Sequence, residues 1–318
     1  MKRLAATLWL SLIIITVALN PAHTNAPQAP PGEGDNFTFA LTADMRYYSG
    51  PGEYHTPRYF KGACEALAAQ GSGTFMLSPG DIDPPANVNW TITQTLGAAY
   101  IWYPVVGNHE AETPQDMNWL QSYDCGSVAP GPSGCPTTTY SFDYRNAHFV
   151  VLNEYCDITG NVATEGDISD HLYQWLTADL SAATQDHIFV FGHEPAYPQP
   201  DADVGRTRHL SDSLNQYASH RDRFWDLLGA ERVAAYICGH THNYSVVKID
   251  GVWQMDVGHA RGMGDTGAPS TFVLIHVDGD IVTFETYRDD AQGGLYTLAH
   301  QGFLVGTCIY LPVMMKGG

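Results

Sequence analysis

Basic residues are scarce in this sequence. Its 318 residues include 15 Lys and Arg against 34 Asp and Glu, which gives a formal net charge of −19. Such a surface repels polyanions, and no run of Lys or Arg offers a stripe that could follow a phosphate backbone. The composition therefore argues against bulk binding to nucleic acid or to an anionic membrane. A small phosphate ester could still bind where local positive charge, such as metal ions, overrides the global field.

Long apolar runs are absent after residue 20, so no later segment is predicted to cross a bilayer, which takes about 20 apolar residues. The N-terminus carries Lys2 and Arg3, an apolar run over residues 4–19, and small residues up to Ala26. This order is typical of a secretory signal peptide over residues 1–26, followed by a disordered leader over 27–35. An uncleaved anchor is the alternative. We therefore predict a secreted, periplasmic or extracellular protein, without a transmembrane domain once the signal peptide is removed.

Closely spaced cysteine pairs are also absent, which argues against a cysteine zinc cluster. The six cysteines are Cys64, Cys125, Cys135, Cys156, Cys238 and Cys308. Export permits disulfides. Because Cys125 and Cys135 flank a Gly/Pro-rich loop, we expect these two to pair, and the sequence leaves the other four open.

Short apolar runs alternate with amphipathic segments along most of the chain. Buried strands are predicted at residues 37–42, 74–78, 100–106, 148–153, 188–192 and 233–238. Leu172, Leu176 and Leu180 recur at helical spacing, with Asp167 or Ser169 as the cap. A β-rich part with Asp-Gly turns follows, at 245–249, 252–256, 271–277 and 281–287. We predict one α/β domain over residues 36–300, with two packed mixed sheets and helices outside. Residues 301–318 then form an apolar tail or a last strand.

Five short polar segments each follow a predicted strand. They are Asp44, Gly80-Asp81, Gly107-Asn108-His109-Glu110, Gly192-His193 and Gly239-His240-Thr241-His242. Ligands of α/β folds bind at the carboxyl ends of strands, so these segments are expected to converge. A Gly-Asp pair alone often marks a turn, but the order and placement of all five together favour a metal site. Carboxylate, amide oxygen and imidazole suit iron, zinc or manganese.

The five segments resemble, in order, the motifs of the calcineurin-like metallophosphoesterase superfamily: D-x-H, G-D-x-x, G-N-H-[D/E], an isolated H, and G-H-x-H. The match spans roughly residues 37 to 244. The resemblance implies a β-sandwich core flanked by helices, two bound divalent or trivalent ions, and hydrolysis of phosphate mono- or diesters. A carboxylate shared by two ions holds them about 3.5–4 Å apart, and such a pair turns a bound water into hydroxide near neutral pH.

The resemblance also implies roles for single residues. Six positions match the family's metal ligands: Asp44, Asp81, Asn108, His193, His240 and His242. Asp81 matches the bridging carboxylate, Asp44 and His242 match ligands of one ion, and the other three match ligands of the second ion. His109 resembles the histidine that protonates the leaving oxygen, and Glu110 is expected to orient it.

One position departs from the family pattern, because Arg46 stands where the first motif has a histidine. Arginine stays protonated and cannot ligate a metal. Either the first ion has three protein ligands, so that only one of the two ions binds tightly, or Arg46 grips the substrate phosphate bidentately. The second motif also lacks the tyrosine of purple acid phosphatases, since Pro84 stands there. A non-catalytic, exported protein that binds phosphate or metal is therefore the alternative to an enzyme.

Three further residues are candidates for substrate contacts. His259 and Arg261 lie in a Gly-rich loop after a predicted strand, and Tyr244 follows the last ligand motif. Each could instead pack against the fold. The segment 197–211, which carries two arginines, either overhangs the site or is a solvated loop. The identity of the substrate and the metals, and the oligomeric state, stay open.

Overall fold

Two β-sheets form the framework of the fold. The computed structural model describes residues 35–156 and 165–306, so the predicted signal peptide and nearly all of the leader lie outside the described residues. In spatial order the first sheet contains β13 (Thr297–Val305), β12 (Ile281–Arg288), β11 (Thr271–Asp278), β1 (Phe37–Leu41), β2 (Phe75–Ser78) and β3 (Ile101–Pro104). The second contains β4 (Ala129–Pro130), β5 (Tyr140–Tyr144), β6 (Ala147–Val151), β7 (His187–Phe191), β8 (Ala235–Cys238), β10 (Val252–Val257) and β9 (Tyr244–Ile249).

Both sheets are mixed. Strands β1, β2 and β3 run parallel, as do β6, β7, β8 and β10, whereas β11, β12 and β13 form an antiparallel meander. The predicted α/β fold with two packed mixed sheets is confirmed. The predicted domain boundary at residue 300 falls inside β13, and the residues after 306 lie outside the described part of the chain.

Aromatic side chains fill the space between the sheets. Phe39 and Phe75 point into this core, while their neighbours Ala40 and Met76 face the helices on the outside. Phe149 of the second sheet meets Phe39 edge-on, with ring centroids 5.2 Å apart. Because both faces of these strands are covered, their sequences are continuous apolar runs.

Helices cover the outer faces of both sheets. They are α1 (Phe60–Gln70), α2 (Pro85–Leu96), α3 (Asn108–Glu112), α4 (Pro114–Ser122), α5 (Asp170–Ala182) and α6 (Ala218–Ala230), with 3₁₀ turns at Pro51–His55, Leu214–Tyr217 and Gly262–Gly264. Ser169 caps α5, since its hydroxyl accepts from the N–H of Leu172. Leu172, Leu176 and Leu180 are buried against the second sheet. None of the helices in the described ranges combines the length and apolarity needed to span a membrane.

The disulfide links Cys135 to Cys156, so the predicted Cys125–Cys135 pair is wrong. Strands β5 and β6 form a hairpin in which Tyr140 pairs with Val151. The same register places the segment before β5 beside the segment after β6, which brings the two bonded cysteines together. Cys125 instead packs, partly buried, against the core between the sheets.

Candidate metal centre

The six predicted ligands lie at one edge of the sheets, where the carboxyl ends of β1, β2, β3, β7 and β8 meet. The N–H of His240 donates to Oδ2 of Asp44 over 2.9 Å. The N–H of Asp44 donates to the carbonyl of Gly80 over 3.1 Å, and that of Gly239 to the carbonyl of His193 over 2.9 Å. Hydrogen bonds therefore join four of the five segments across both sheets.

Asp44, Asp81 and His242 form the first ligand group. The three offer ligand atoms that all lie within 4.8 Å of one another, and all three residues are buried. Oδ1 of Asp44 and Nε2 of His242 are 3.4 Å apart, and neither has a hydrogen-bond partner among the described residues. Buried polar atoms are nearly always partnered. A cation between these two atoms would satisfy both.

Asp81, Asn108, His193 and His240 form the second ligand group. Nε2 of His193 lies 3.3 Å from Oδ1 of Asp81 and 3.3 Å from Oδ1 of Asn108. The ring of His240 stands edge-on to that of His193, with centroids 5.1 Å apart. Asp81 belongs to both groups, which is the place that the sequence motifs give to a bridging carboxylate.

Each ligand histidine has its other ring nitrogen held by an oxygen. The three pairs are His193 Nδ1 with the carbonyl of Pro79 (2.8 Å), His240 Nε2 with the carbonyl of Asp212 (2.9 Å), and His242 Nδ1 with Oδ2 of Asp265 (2.6 Å). Carbonyl and carboxylate oxygens only accept, so these nitrogens carry the protons. The lone pairs are left on the opposite nitrogens, as in histidines that ligate metals.

The electrostatics of the site also suit a cation. Burial, together with the charges of Asp81 and Asp256, raises the pKa of Asp44 well above its ordinary value. Burial lowers the pKa of His193 and of His242. A bound cation favours the ionised carboxylate, so it would offset the raised pKa of Asp44. It also favours the neutral imidazole, which the lowered pKa values of the histidines already provide. The residues present therefore fit a pair of metal ions.

Backbone strain is concentrated at the ligands. Four of the six have a positive φ: Asp44 (50°), Asp81 (52°), His240 (70°) and His242 (58°). Such a conformation costs a non-glycine residue on the order of 1–3 kcal/mol, and it recurs at functional sites. The fold holds these four side chains in place against that cost.

The motif glycines make room for ligands of neighbouring segments. A Cβ on Gly80 would collide with the ring of His193, and one on Gly239 would collide with the carboxylate of Asp44. The glycine before Asn108 likewise touches Asp81. These positions need glycine because two segments approach closely there.

Arg46 lies beside the ligands without entering either group. Its Nε is 3.5 Å from Oδ1 of Asp83, and its NH1 is 2.9 Å from Nδ1 of His109. Nε2 of His109 lies 3.5 Å from Oδ2 of Asp81. The side chains of Arg46 and His109 are 30% and 27% exposed. Both are therefore accessible to a ligand at the metal centre.

Glu110 does not orient His109, which corrects the prediction for this residue. Its buried carboxylate accepts from the N–H groups of Gly107 (2.8 Å), Asp81 (3.1 Å) and Ile82 (2.8 Å). Both carboxylate oxygens of Glu110 therefore accept from backbone N–H groups. These hydrogen bonds join the second motif to the third and hold the backbone of Asp81 in place.

Two predicted substrate contacts are buried instead. Tyr244 is 2% exposed, packs between the sheets, and accepts a hydrogen bond at its hydroxyl from Thr286 over 2.7 Å. His259 is fully buried, with Nε2 3.0 Å from the carbonyl of Ala268. Its ring packs behind His242, with centroids 5.8 Å apart. Both side chains have packing roles, and neither is open to a substrate.

Two arginines of the segment 197–211 reach the site, while residues 202–205 of the same segment are exposed to solvent. NH1 of Arg208 is 2.9 Å from Nδ1 of His242 and 3.5 Å from Oδ2 of Asp265. NH1 of Arg206 donates to both oxygens of Asp265 over 2.9 Å. This segment therefore adds positive charge to the His242 side of the centre.

Residues that support the ligand histidines carry no sign in the sequence. Asp265 and Asp212 belong to no motif, although each holds a ligand histidine. Oε2 of Glu154 accepts from the N–H groups of His193 and Glu194 over 2.9 and 2.7 Å. A ligating histidine needs an acceptor for its second nitrogen, but only the tertiary fold decides which residue supplies it.

The fold and the site define a class of protein: a two-sheet α/β scaffold whose strand ends gather two groups of candidate metal ligands around a shared aspartate. The chain belongs to the calcineurin-like phosphoesterase family, whose model matches residues 37–244. The resemblance inferred from the five motifs is confirmed. Proteins of this family depend on binuclear metal centres.

Among curated proteins the chain is similar to tartrate-resistant acid phosphatase type 5. The protein from Rattus norvegicus is 31% identical over 121 residues, and that from Homo sapiens is 30% identical over 121 residues. Each match covers 38% of this chain and 32% of the relative. The chain thus matches about a third of the length of these relatives.

Solved structures share the fold at low sequence identity. A purple acid phosphatase from yellow lupin has a TM-score of 0.58 at 13% identity, over 86% of this chain and 54% of its own. PhoD has a TM-score of 0.55 at 12% identity, over 86% of this chain and 73% of the PhoD chain. GAP50 of Plasmodium has a TM-score of 0.53 at 16% identity, over 85% of this chain and 89% of the GAP50 chain. These similarities establish the fold.

Proposed function

We propose that this protein is an exported, metal-dependent phosphoesterase that hydrolyses phosphate mono- or diesters. The observation that carries the proposal is the pair of unpartnered buried atoms, Oδ1 of Asp44 and Nε2 of His242, beside Asp81. Membership of the calcineurin-like phosphoesterase family supports ester hydrolysis at this centre. Similarity to tartrate-resistant acid phosphatase type 5 supports a phosphatase.

The two ligand groups would each hold one ion of iron, zinc or manganese. Bound ions of this kind supply Lewis acidity and lower the pKa of a coordinated water. The first group has one side chain fewer than the family pattern, because Arg46 replaces its histidine. We therefore expect the first ion to bind more weakly than the second.

Arg46 and His109 act on the substrate in this proposal. The Arg46 guanidinium binds phosphate oxygens and offsets the negative charge that develops on them. Asp83, 3.5 Å from its Nε, holds the other side of the guanidinium. His109 donates a proton to the leaving oxygen, and its partial exposure lets it reach that atom.

Export is proposed from the N-terminal sequence and is supported by the Cys135–Cys156 disulfide, since such bonds persist in oxidising compartments. Expression of the full chain with its own N-terminus, followed by fractionation and N-terminal sequencing, tests this point. We expect mature protein outside the cytoplasm that begins after residue 22 or 26. Uncleaved protein confined to the cytoplasm would contradict export.

Catalysis is tested with mature protein stripped of metal and reloaded with Mn²⁺ or Zn²⁺. We expect turnover of aryl phosphate esters, and His109→Ala should lower kcat by about 100-fold or more because general acid catalysis contributes that much. Elemental analysis should show unchanged metal content in this variant. The exposed His55 provides a matched control, because His55→Ala should leave kcat unchanged. Unchanged turnover in His109→Ala would rule out the role given to His109.

A non-catalytic module that binds phosphate or metal is the second candidate, and Arg46 in place of a ligand favours it. This candidate predicts tight binding of phosphate without turnover across a broad panel of esters. Multiple turnover of any ester excludes it. Chain without bound metal after growth and purification free of chelators would contradict the metal-dependent enzyme and leave only the phosphate-binding form of the second candidate.

A further inference from the structure

Arg261 is a buried arginine that contacts no carboxylate among the described residues. The residue is 7% exposed. Within the described residues its Nε has no hydrogen-bond partner, and no ion pair involves its guanidinium. Burying a charge without an opposite charge or a hydrogen bond is costly. A bound anion would supply the negative charge and the hydrogen-bond acceptors that the Arg261 guanidinium lacks.

Backbone hydrogen bonds hold Arg261 at the metal centre. The N–H of Ala260 donates to the carbonyl of Ala43 over 2.8 Å, so the residue before Arg261 adjoins the residue before Asp44. Burial, together with repulsion from Arg46 and Arg208, lowers the pKa of Arg261, whereas Asp265 and Asp44 attract it at longer range. The backbone at Arg261 thus adjoins the first motif, and the charge of its guanidinium acts on Asp44 of the first ligand group.

Several arginines lie beside the first ligand group, and among the described residues not all of them have a carboxylate partner. The arginines on this side are Arg46, Arg206, Arg208 and Arg261, and the carboxylates paired with them are Asp83 and Asp265. Two carboxylates therefore serve three of the arginines, and Arg261 is left over. Metal ions would occupy the carboxylates of the ligand group, so the guanidinium of Arg261 is the side chain there that has a charge to offer to an anion.

We propose that Arg261, together with Arg46 and Arg208, forms an anion subsite for the second negative charge of a phosphate monoester, so that the enzyme prefers monoesters to diesters. The proposal rests on the phosphoesterase function proposed above. A monoester has a second pKa of about 6 and is mostly a dianion at neutral pH, whereas a diester carries one charge. Guanidinium groups match phosphate oxygens in shape and charge. An esterified oxygen offers Arg261 no such partner.

The test compares Arg261→Gln and Arg261→Lys with the parent protein on an aryl phosphate monoester and a bis-aryl phosphate diester. For the monoester, kcat/KM of Arg261→Gln should fall about 10- to 100-fold, the effect of losing a charge-assisted hydrogen bond. For the diester, it should fall less than about threefold by the same reasoning. Arg261→Lys should recover part of the loss. Inorganic phosphate should raise the Tm of the parent protein and raise that of Arg261→Gln much less.

Two other arginines serve as matched controls. Arg288 is also buried, but NH2 of Arg288 lies 2.6 Å from Oδ2 of Asp201, so Arg288→Gln should lower the Tm. Arg261→Gln should keep or raise the Tm without phosphate, because it removes an unpaired charge. Arg232 is exposed, and Arg232→Gln removes the same charge from the surface without changing either rate.

The possible outcomes separate the subsite from the proposed function. Equal losses for both esters in Arg261→Gln, or no loss for either, would overturn the subsite. A lowered Tm in that variant without phosphate would point to a structural role and overturn it as well. If metal-loaded parent protein hydrolyses neither ester, the phosphoesterase function fails on its own. In that case the phosphate-dependent rise in Tm, present in the parent and lost in Arg261→Gln, still decides the anion subsite.

Discussion

Asp265 controls a metal ligand although it lies outside every motif. Its carboxylate accepts from Nδ1 of His242 over 2.6 Å. In Asp265→Asn an amide can donate or accept, so it no longer fixes the proton on Nδ1. We expect this variant to bind Zn²⁺ or Mn²⁺ at the first ligand group about 10- to 100-fold more weakly, as for other supports of ligating histidines. Calorimetric titration of metal-free protein measures the change.

The control for this prediction is Asp280→Asn, because Asp280 is exposed in the turn between β11 and β12. Its metal affinity should equal that of the parent protein. Retention of full metal affinity in Asp265→Asn would show that another group fixes the His242 ring.

The convergence of the candidate ligands can be predicted from the sequence, whereas the residues that hold them in place cannot. Each predicted ligand sits in a short motif directly after an apolar strand, so the pattern and the strand-end rule located it. The sequence predicts the wrong partner for Glu110, because its position next to His109 does not show that it meets the backbone groups of Asp81 and Ile82 in space.

At the scale of elements, the register of one hairpin decides the disulfide. Tyr140 opposes Val151, so Cys135 and Cys156, at equal distances beyond these two residues, face each other. Proximity in sequence instead favours Cys125 as the disulfide partner of Cys135. The hairpin partner β5 was missing from the predicted strands, so its register could not be used. Helices α2 and α4 were missed as well, since they begin at Pro85 and Pro114, and prolines are also common in loops.

A buried histidine also links the same hairpin to α5. Nδ1 of His148 lies 2.6 Å from Asp143, and Nε2 lies 2.9 Å from Asp179. Burial opposes the charged ring, but the hydrogen bonds and charges of both aspartates outweigh it and raise the pKa of His148 to about 9. A raised pKa stabilises the fold fully below the unfolded value of about 6.5, and this contribution is lost as the pH rises through about 9.

The resulting prediction concerns stability as a function of pH. The free energy of unfolding of the parent protein should exceed that of His148→Gln by roughly 3 kcal/mol more at pH 6 than at pH 10. Urea denaturation at both pH values measures this difference. His55→Gln alters an exposed histidine and should show no such dependence. A gap between parent and His148→Gln that stays constant with pH would contradict a charged His148 in the fold.

At the scale of the whole molecule, two fields of opposite sign act on an approaching phosphate ester. The chain as a whole carries −19 and repels the ester, while the arginines beside the first ligand group attract it. Salt shortens the distance over which both fields act, because the Debye length is about 30 Å at 0.01 M and about 8 Å at 0.15 M. At low salt the repulsion by the distant surface acts over the whole approach. At higher salt only the nearby arginines are still felt.

We therefore expect kcat/KM for a phosphate monoester to rise, by about two- to fivefold, as the ionic strength increases from about 0.01 to 0.15 M, because screening removes the long-range repulsion first. Steady-state kinetics at fixed pH and fixed metal loading measures the change, and sucrose at matched viscosity controls for diffusion. The rise should appear in 1/KM rather than in kcat, since the field acts on encounter and not on the chemical step. A fall in kcat/KM with salt would mean that the arginine cluster governs the field along the whole approach, and that the acidic surface is directed away from the metal centre.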